Sequence, residues 1–277
     1  MRLKRETIWR SPEEIIEIGF QRSQVAMMNE AHSGWKRCVR TRQIGQRILP
    51  TAHHAGVRHL AMEALFPWFA EQCNKAQHVP EGDFGYLSQP DMKDFIQTAL
   101  DLGWTLLAYE ADEFKWLSVK HGIDFSTSDG PEERSRRLQE FQSEFAAPAY
   151  TNWREEQQAL NLTEALQSLP RNTPLLVWCG NNHHSKRTSP DWLPMGYQFK
   201  KHSHINPFVI DQIWTVKFDA RDSQLATELI MQFSDELTKH GGTAGFLIDE
   251  LSSAWAHYSF QHLGDDALLF STQNELE

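Results

Sequence analysis

This chain is poor in cysteine. Three in 277 residues (Cys38, Cys73 and Cys179) are too few and too scattered for a disulfide framework or a zinc-knuckle spacing, and they fit a reducing compartment. Long apolar runs are missing as well. The basic start Met1-Arg2-Leu3-Lys4-Arg5 is not followed by the apolar stretch of a signal peptide. No window approaches the roughly 18 uninterrupted apolar residues of a membrane span. Basic charge is in deficit: 27 Lys and Arg against 37 Asp and Glu leave a formal net charge of -10, which argues against a nucleic-acid binder. The local cluster of Arg37, Arg40, Arg42 and Arg47 reads as a solvated helix face or a substrate clamp rather than a DNA footprint. Also lacking are a Gly-x-Ser-x-Gly elbow, a Walker loop, a Gly-x-Gly-x-x-Gly fingerprint and a His-Glu-x-x-His motif, and a serine-hydrolase reading has no support. What remains is a cytoplasmic enzyme or binding protein for a small molecule, with neither nucleic acid nor membrane as partner. Nothing in the composition speaks to its oligomeric state.

What is present is an ordinary globular balance, 40% hydrophobic and 23% charged, in a chain long enough to bury a substantial core. Ser11 and Pro12 open a helix over 12–22. A strand follows at about 24–29, then a helix to about His54 that Pro50 should kink or disturb, and a strand at 57–62. A helix over 66–73 and a Pro/Gly-rich loop over 76–90 lead to a helix capped by Asp91. A strand at 104–109 precedes an irregular stretch over 111–130, with a turn-rich boundary at 126–130. Two helices follow, from Pro131 to Phe145 and from Asn152 to Leu169, with Trp153, Leu160, Leu162 and Leu166 as candidate buried positions. The most hydrophobic strand is at 174–179. Later strands are expected at 208–218, 244–248 and 266–270, with a helix over 222–239. Strand and helix alternating in this way predict an α/β fold, a mainly parallel central sheet with helices on both faces. With no repeat, low-complexity segment or sharp linker, the chain reads as a single domain over 1–277 with a helical insertion at about 111–170.

Four of these apolar runs end in acidic or imidazole side chains. Val25-Ala26-Met27-Met28 runs into Asn29-Glu30-Ala31-His32, and Leu60-Ala61-Met62 into Glu63. Leu106-Leu107-Ala108-Tyr109 runs into Glu110, and Leu176-Val177-Trp178-Cys179-Gly180 into Asn181-Asn182-His183-His184. If the runs are neighbouring parallel strands, these groups gather beyond one sheet edge, where open α/β sheets bind ligands. Glu30 and His32 suit a base with its orienting partner, or two ligands of a hard or borderline metal. The plain alternative is a helix-capping Glu30 and a surface His32. Glu63, flanked by apolar residues, is expected as a general base or as an acid with a raised pKa; a carboxylate held by backbone amides at a helix start is the duller reading. Gly180 lets the backbone turn sharply and approach a ligand. Adjacent histidines diverge, so one of His183 and His184 is expected in the site, in a chain where most of the 13 histidines must be ordinary surface residues. Lys186 and Arg187 either bind an anionic group or are solvated. Cys179, inside an apolar strand, is a small core residue rather than a nucleophile. Ten tryptophans are enough for several to line a pocket, although core packing accounts for most of them.

These motifs, in this order and spacing, resemble the superfamily of erythromycin-esterase-like, ChaN-like and Tiki proteins. Met27-Met28-Asn29-Glu30-Ala31-His32 is similar to the family's strand followed by Gly-Glu-x-His, with Asn29 in place of glycine. Arg40 or Arg42 stands where an arginine commonly follows, and Leu60-Ala61-Met62-Glu63 matches the strand that ends in glutamate. Arg154-Glu155-Glu156-Gln157-Gln158-Ala159-Leu160-Asn161 resembles the helix Arg-Glu-x-x-Met-Ala-x-Asn of esterase-type members. Val177 to His183 resembles the motif whose last histidine enters the site, which selects His183 over His184. Pro194-Met195-Gly196 resembles the Met-Gly step that follows. The likeness covers about residues 24–200, and the last 80 match loosely.

The resemblance implies hydrolysis of a macrolide lactone in esterase-type members, metal-dependent proteolysis in Tiki-type members and haem-iron binding in ChaN-type members. The leading expectation is a hydrolase of an ester, lactone or amide bond. His32 is the general base, oriented by Glu30 or Glu63; His183 polarises the carbonyl or protonates the leaving group. Arg40 or Arg154 holds a carboxylate or an oxyanion, with Glu110 and His184 as supporting substrate contacts. No cofactor is assigned; a variant places a divalent metal (zinc, manganese or iron) between Glu30, His32, Glu63 and His183. The alternatives are a haem- or iron-binding protein, with Tyr109, His183 or His184 as axial ligand, or a non-haem metal enzyme at the same site.

Overall fold

The computed structural model describes residues 7–33, 36–122, 136, 139–218, 220–252, 264–272 and 275–276. Its centre is a sheet of seven strands: β1 (Val25–Glu30), β4 (His59–Met62), β5 (Thr105–Ala108), β6 (Leu175–Gly180), β7 (Phe208–Asp211), β8 (Thr243–Leu247) and β9 (Ala267–Ser271). Two short strands, β2 (His32–Ser33) and β3 (Lys36–Arg37), form a separate antiparallel hairpin. The sheet order is β5-β4-β6-β1-β7-β9-β8, parallel throughout except where β8 runs antiparallel to β9 at one edge. Every residue of the central strands β1 and β6 is buried, as expected of parallel strands covered on both faces.

Eight α-helices surround the sheet among the described residues: α1 (Pro12–Arg22), α2 (Val39–His54), α3 (Pro67–Ala76), α4 (Pro90–Asp101), α5 (Glu113–His121), α6 (Pro148–Gln167), α7 (Met195–Ser203) and α8 (Ala220–Lys239). On one face Ile15, Ile44, Ile48 and Phe95 pack with Met28, Leu60 and Trp178; on the other Ala159, Leu162, Met195 and Phe199 pack with Met27, Ala61 and Val177. Leu229, Phe233 and Leu237 of α8 cover Phe246 and Phe270 of β8 and β9. The α/β reading therefore holds, with helices on both faces. No helix among the described residues is long and apolar enough to cross a membrane.

Local chemistry explains most boundaries. Ser11 and Glu14 form a reciprocal capping box at α1: Ser11 Oγ accepts from the Glu14 amide at 3.2 Å and Glu14 Oε2 from the Ser11 amide at 2.7 Å. Helix α2 runs through Pro50 to His54, the end expected for it. Several other expectations need correction. Asp91 is not a cap: Pro90 takes the first helical position, where its missing N–H costs nothing, and Gln89 is the cap. The stretch after Glu110 is not irregular throughout, because Asp112 caps α5 by accepting from the Phe114 amide at 3.0 Å and Gly122 ends it at φ +63°. Leu160 is 39% exposed, whereas Leu162 and Leu166 are buried. The strand expected to reach 218 stops at Asp211. There the Asp211 carboxylate captures the Ile213 amide at 3.0 Å, and Asn29 Oδ1 captures the Gln212 amide at 2.9 Å. The turn expected at 126–130 lies outside the described residues, as do residues 131–135, 137 and 138 of the helix expected from Pro131.

The connections set the position of the site. From β4 the chain moves outward to β5, and from β6 it crosses β1 to reach β7. Departures in opposite directions from the neighbours β4 and β6 open a crevice beyond their carboxyl ends. Glu63 follows the last residue of β4, and Gly180 is the last of β6.

Candidate active site

Glu63 is the centre of this crevice. Its Oε2 accepts the Gly180 amide at 2.5 Å, and its Oε1 accepts Arg154 Nη2 at 2.7 Å. His183 Nε2 stands 3.7 Å from the same Oε1. His32 reaches the spot from the β2–β3 hairpin: a Cβ built on Gly180 would collide with His32 Nε2 and lie 3.3 Å from Glu63 Oε2. Gly180 is therefore the floor on which His32 and Glu63 meet. The sharp turn falls one residue later, at Asn181 (φ +32°), whose side chain grips the backbone of His32 through both its oxygen (3.1 Å) and its nitrogen (3.0 Å).

Burial alone would raise the pKa of Glu63. The neighbouring His183 and Arg154 and the Gly180 amide outweigh it and hold the carboxylate well below its usual range. This corrects the expectation of an acid with a raised pKa: Glu63 is an ionised group throughout the neutral range. The two imidazoles diverge. Burial, the Arg37 guanidinium and His183 together keep the pKa of His32 below its ordinary 6.5, and its Nδ1 is buried without a hydrogen-bond partner. Burial also pulls His183 down, but Glu63 and Glu155 on either side raise it to about 9. His183 Nδ1 lies 2.6 Å from Glu155 Oε1. The side chain of Glu155 is 1% exposed and that of His183 19%, so the imidazole is reachable and its carboxylate support is not.

Helix α6 builds one wall. Arg154, Gln158 and Asn161 recur at helical spacing and face the end of β5. Arg154 donates to Glu110 through Nε at 3.0 Å and Nη2 at 2.7 Å, Gln158 Nε2 donates at 2.8 Å, and Asn161 Nδ2 binds the Tyr109 and Glu110 carbonyls. Glu110 thus neutralises and aims the arginine that holds Glu63. Glu155, one residue on from Arg154, accepts the Met195 amide at 2.5 Å and Trp192 Nε1 at 2.9 Å besides His183. Glu155 and Tyr86 belong to this polar cluster, and residue-by-residue reading missed them. The Arg-Glu pairing in α6 was the available signal for Glu155, whereas Tyr86 lies in a turn-rich loop with no motif.

The remaining expected residues are placed differently. Glu30 is fully buried, and its charge acts on His32. It pairs with Arg42 Nε at 2.7 Å and Arg37 Nε at 3.2 Å, and accepts from Tyr86 Oη at 3.1 Å. Both guanidiniums lie 5.0 Å from the centre of the Tyr86 ring. Of the two candidate arginines the structure selects Arg42. Arg40 turns away to Ser271 Oγ (3.1 Å) and Thr243 Oγ1 (2.8 Å) on β9 and β8, so it is not brought to the site. His184 diverges from His183, as adjacent residues must, and stands 4.0 Å from Asp211 and 3.9 Å from Asp265. Lys186 binds Asp266 at 2.5 Å, and the Cys179 thiol is buried with its pKa pushed up.

The donors do not fit a metal. Arginines occupy the carboxylates of Glu30 and Glu63, which puts fixed positive charge where a cation would bind, and Glu63 and Glu155 keep His183 protonated up to about pH 9. Among the described residues no group of three or more His, Cys, Asp or Glu is arranged to hold a metal ion.

No family model matches this chain, and no curated protein matches it by sequence. Solved structures do. ChaN of Campylobacter jejuni, described as binding haem cofacially, matches with a TM-score of 0.51 at 11% identity, over 94% of this chain and 91% of its own. A Bacillus cereus protein matches with a TM-score of 0.52 at 8% identity, over 96% and 92%. The fold is ChaN-like. The type III effector HopBA1 follows with a TM-score of 0.41 at 14% identity, over 76% and 89%, too distant to argue from. At these identities the ChaN-like architecture is what is shared, and chemistry has to be argued from side chains.

Proposed function

We propose that this protein is a hydrolase of an ester, lactone or amide bond that uses two histidines of opposite protonation as its base and its acid. One observation carries the reading: His32 and Glu63 meet over Gly180, and His183 stands between the same Glu63 at 3.7 Å and Glu155 at 2.6 Å. Titratable groups whose surroundings push their pKa values apart are the mark of an acid–base pair. His32 is uncharged at neutral pH and takes a proton from water as the water oxygen bonds to the carbonyl carbon. His183, protonated up to about pH 9, donates to the carbonyl oxygen, where negative charge develops. The proton gained by His32 passes to the leaving oxygen or nitrogen as its bond to carbon breaks, and the re-forming carbonyl returns its own proton to His183. Glu63 stays ionised beside both imidazoles and stabilises the cationic form of each in turn, and Arg154 fixes its position. The resemblance to erythromycin-esterase-like proteins supports the same assignment.

The test is turnover on a panel of nitrophenyl esters, simple lactones and nitroanilides. His32→Ala should lower kcat/KM by about 10² to 10⁴ with an unchanged far-ultraviolet circular dichroism spectrum. Activity should rise with pH as His32 loses its proton, below its ordinary 6.5, and fall as His183 loses its own near 9. Full activity in His32→Ala, or no hydrolysis of any panel member, would sink the proposal.

The likeness to ChaN raises haem binding as a second reading, but this chain's residues do not fit it. The Tyr109 hydroxyl is buried and donates to the Trp178 carbonyl at 2.9 Å, and His184 is 1% exposed, so neither reaches a haem in the crevice. His183 Nδ1 is bound to Glu155, which leaves Nε2, and the two flanking carboxylates that raise its pKa to about 9 keep that nitrogen protonated at neutral pH. A haem titration should leave the Soret band of free haem unshifted.

A further inference from the structure

Beside the catalytic crevice lies a cavity of about 580 Å³ that the proposed hydrolysis does not use. Trp192, Ile213, Trp214 and Phe218 contribute to its walls, and two carboxylates, Asp211 and Asp265, line it. Behind them His184 is 1% exposed, and neither of its ring nitrogens makes a hydrogen bond. Its Nε2 is 3.9 Å from Asp265 Oδ1 and 4.0 Å from Asp211 Oδ1, gaps too long for hydrogen bonds. Asp265 Oδ1 is also buried without a partner. Among the described residues no lysine or arginine pairs with either carboxylate, since the nearby Lys186 is engaged with Asp266 and the Pro207 carbonyl. Arg187 is a lining residue but forms no ion pair with them.

We propose that this cavity binds an organic ammonium ligand, its cationic nitrogen held between Asp211, Asp265 and His184 and its apolar body against Trp192, Trp214 and Phe218. An ammonium group carries three N–H donors; Asp265 Oδ1 and, when its proton is on Nδ1, His184 Nε2 offer two free acceptors, and the Asp211 carboxylate faces the same point with its charge. The aromatic walls accept the apolar part and can face the positive charge. The volume is ordinary for a small-molecule site. Burial pushes Asp265 well above the ordinary carboxylate pKa, and Asp211 across the gap adds to it. Holding two buried carboxylates together is costly, and a bound cation removes that cost. Asp211 itself is fixed by Asn29 Nδ2 at 2.7 Å and the Ile213 amide at 3.0 Å, so its oxygen is preorganised. The cavity adjoins the crevice through Asn182, the neighbour of His183, and through Trp192, which donates to Glu155.

Calorimetric titration with phenethylamine and its neutral analogue 2-phenylethanol at pH 7 tests the proposal. Phenethylamine should bind at least about tenfold more tightly than 2-phenylethanol. Asp265→Asn and His184→Gln, each checked for retained circular dichroism, should remove most of that preference. His32→Ala should bind phenethylamine as the unaltered protein does, so this site and the hydrolytic reading stand or fall separately. Three outcomes would overturn the proposal: equal binding of amine and alcohol, an undiminished preference in folded Asp265→Asn, or displacement of the amine by zinc or manganese chloride, which would make the trio a metal site.

Discussion

Gly180 is the residue on which the proposed chemistry depends most directly. Its backbone is not left-handed; what matters is the missing Cβ, which leaves room for His32 Nε2 and Glu63 Oε2 over one point. Gly180→Ala should therefore push His32 off the crevice and lower kcat/KM by about 10², and a variant that retains its turnover would show that His32 need not approach so closely. Glu155 acts one step further back, through the Nδ1 of His183. Removing its charge in Glu155→Gln leaves Glu63 as the main group raising the pKa of His183, so the alkaline limb of the rate profile should move from about 9 toward 6.5. Loss of rate with the limb unmoved would make Glu155 a packing residue only. Arg154 and Glu110 complete the chain of support, because each neutralises a charge that would be costly to bury alone.

At the scale of elements, Asn29 joins the strands that frame the site. From the middle of the sheet its Nδ2 donates to the Asn181 carbonyl and to Asp211, both at 2.7 Å, and its Oδ1 accepts the Gln212 amide. It thus ties β1 to the turn after β6 and to the end of β7. Asn29→Gly, which restores the residue usual in the resembled family, should cost about 3 kcal/mol in urea unfolding, since buried partners lose their bonds; a loss under about 1 kcal/mol would contradict this role. The glycine expected at position 29 and the asparagine found there explain why the motif was legible in the sequence while its local structure was not. Hydrophobic runs ending in Glu63, Glu110 and Gly180 located the sheet edge correctly, because burial dictates a strand's composition over several residues. Whether Arg40 or Arg42 meets Glu30 depends on the phase of α2 relative to β1, which composition does not record. The end of β7 at Asp211, where Asn29 holds the Gln212 amide, and the reach of Tyr86 to Glu30 likewise depend on hydrogen bonds between distant segments.

For the whole molecule, opposite charges gathered at the carboxyl ends of β4, β5 and β6 make stability depend on pH. Glu63 has a folded pKa below its ordinary 4.5, so its contribution is present above that value and is lost as pH falls beneath it. His183 has a folded pKa raised from 6.5 to about 9, so its contribution is complete below 6.5 and is lost as pH rises through about 9. Both act in full between about pH 4.5 and 6.5. Thermal unfolding of the unaltered protein and of His183→Gln should therefore differ most near pH 6. The difference should close as pH approaches 10, at no more than about 1.4 kcal/mol per pH unit. Glu63→Gln should show its own deficit shrinking only below about pH 4.5. A His183→Gln deficit that stays level from pH 6 to 10 would mean that His183 carries no extra proton in the folded state, and with it would go the acid half of the proposed acid–base pair.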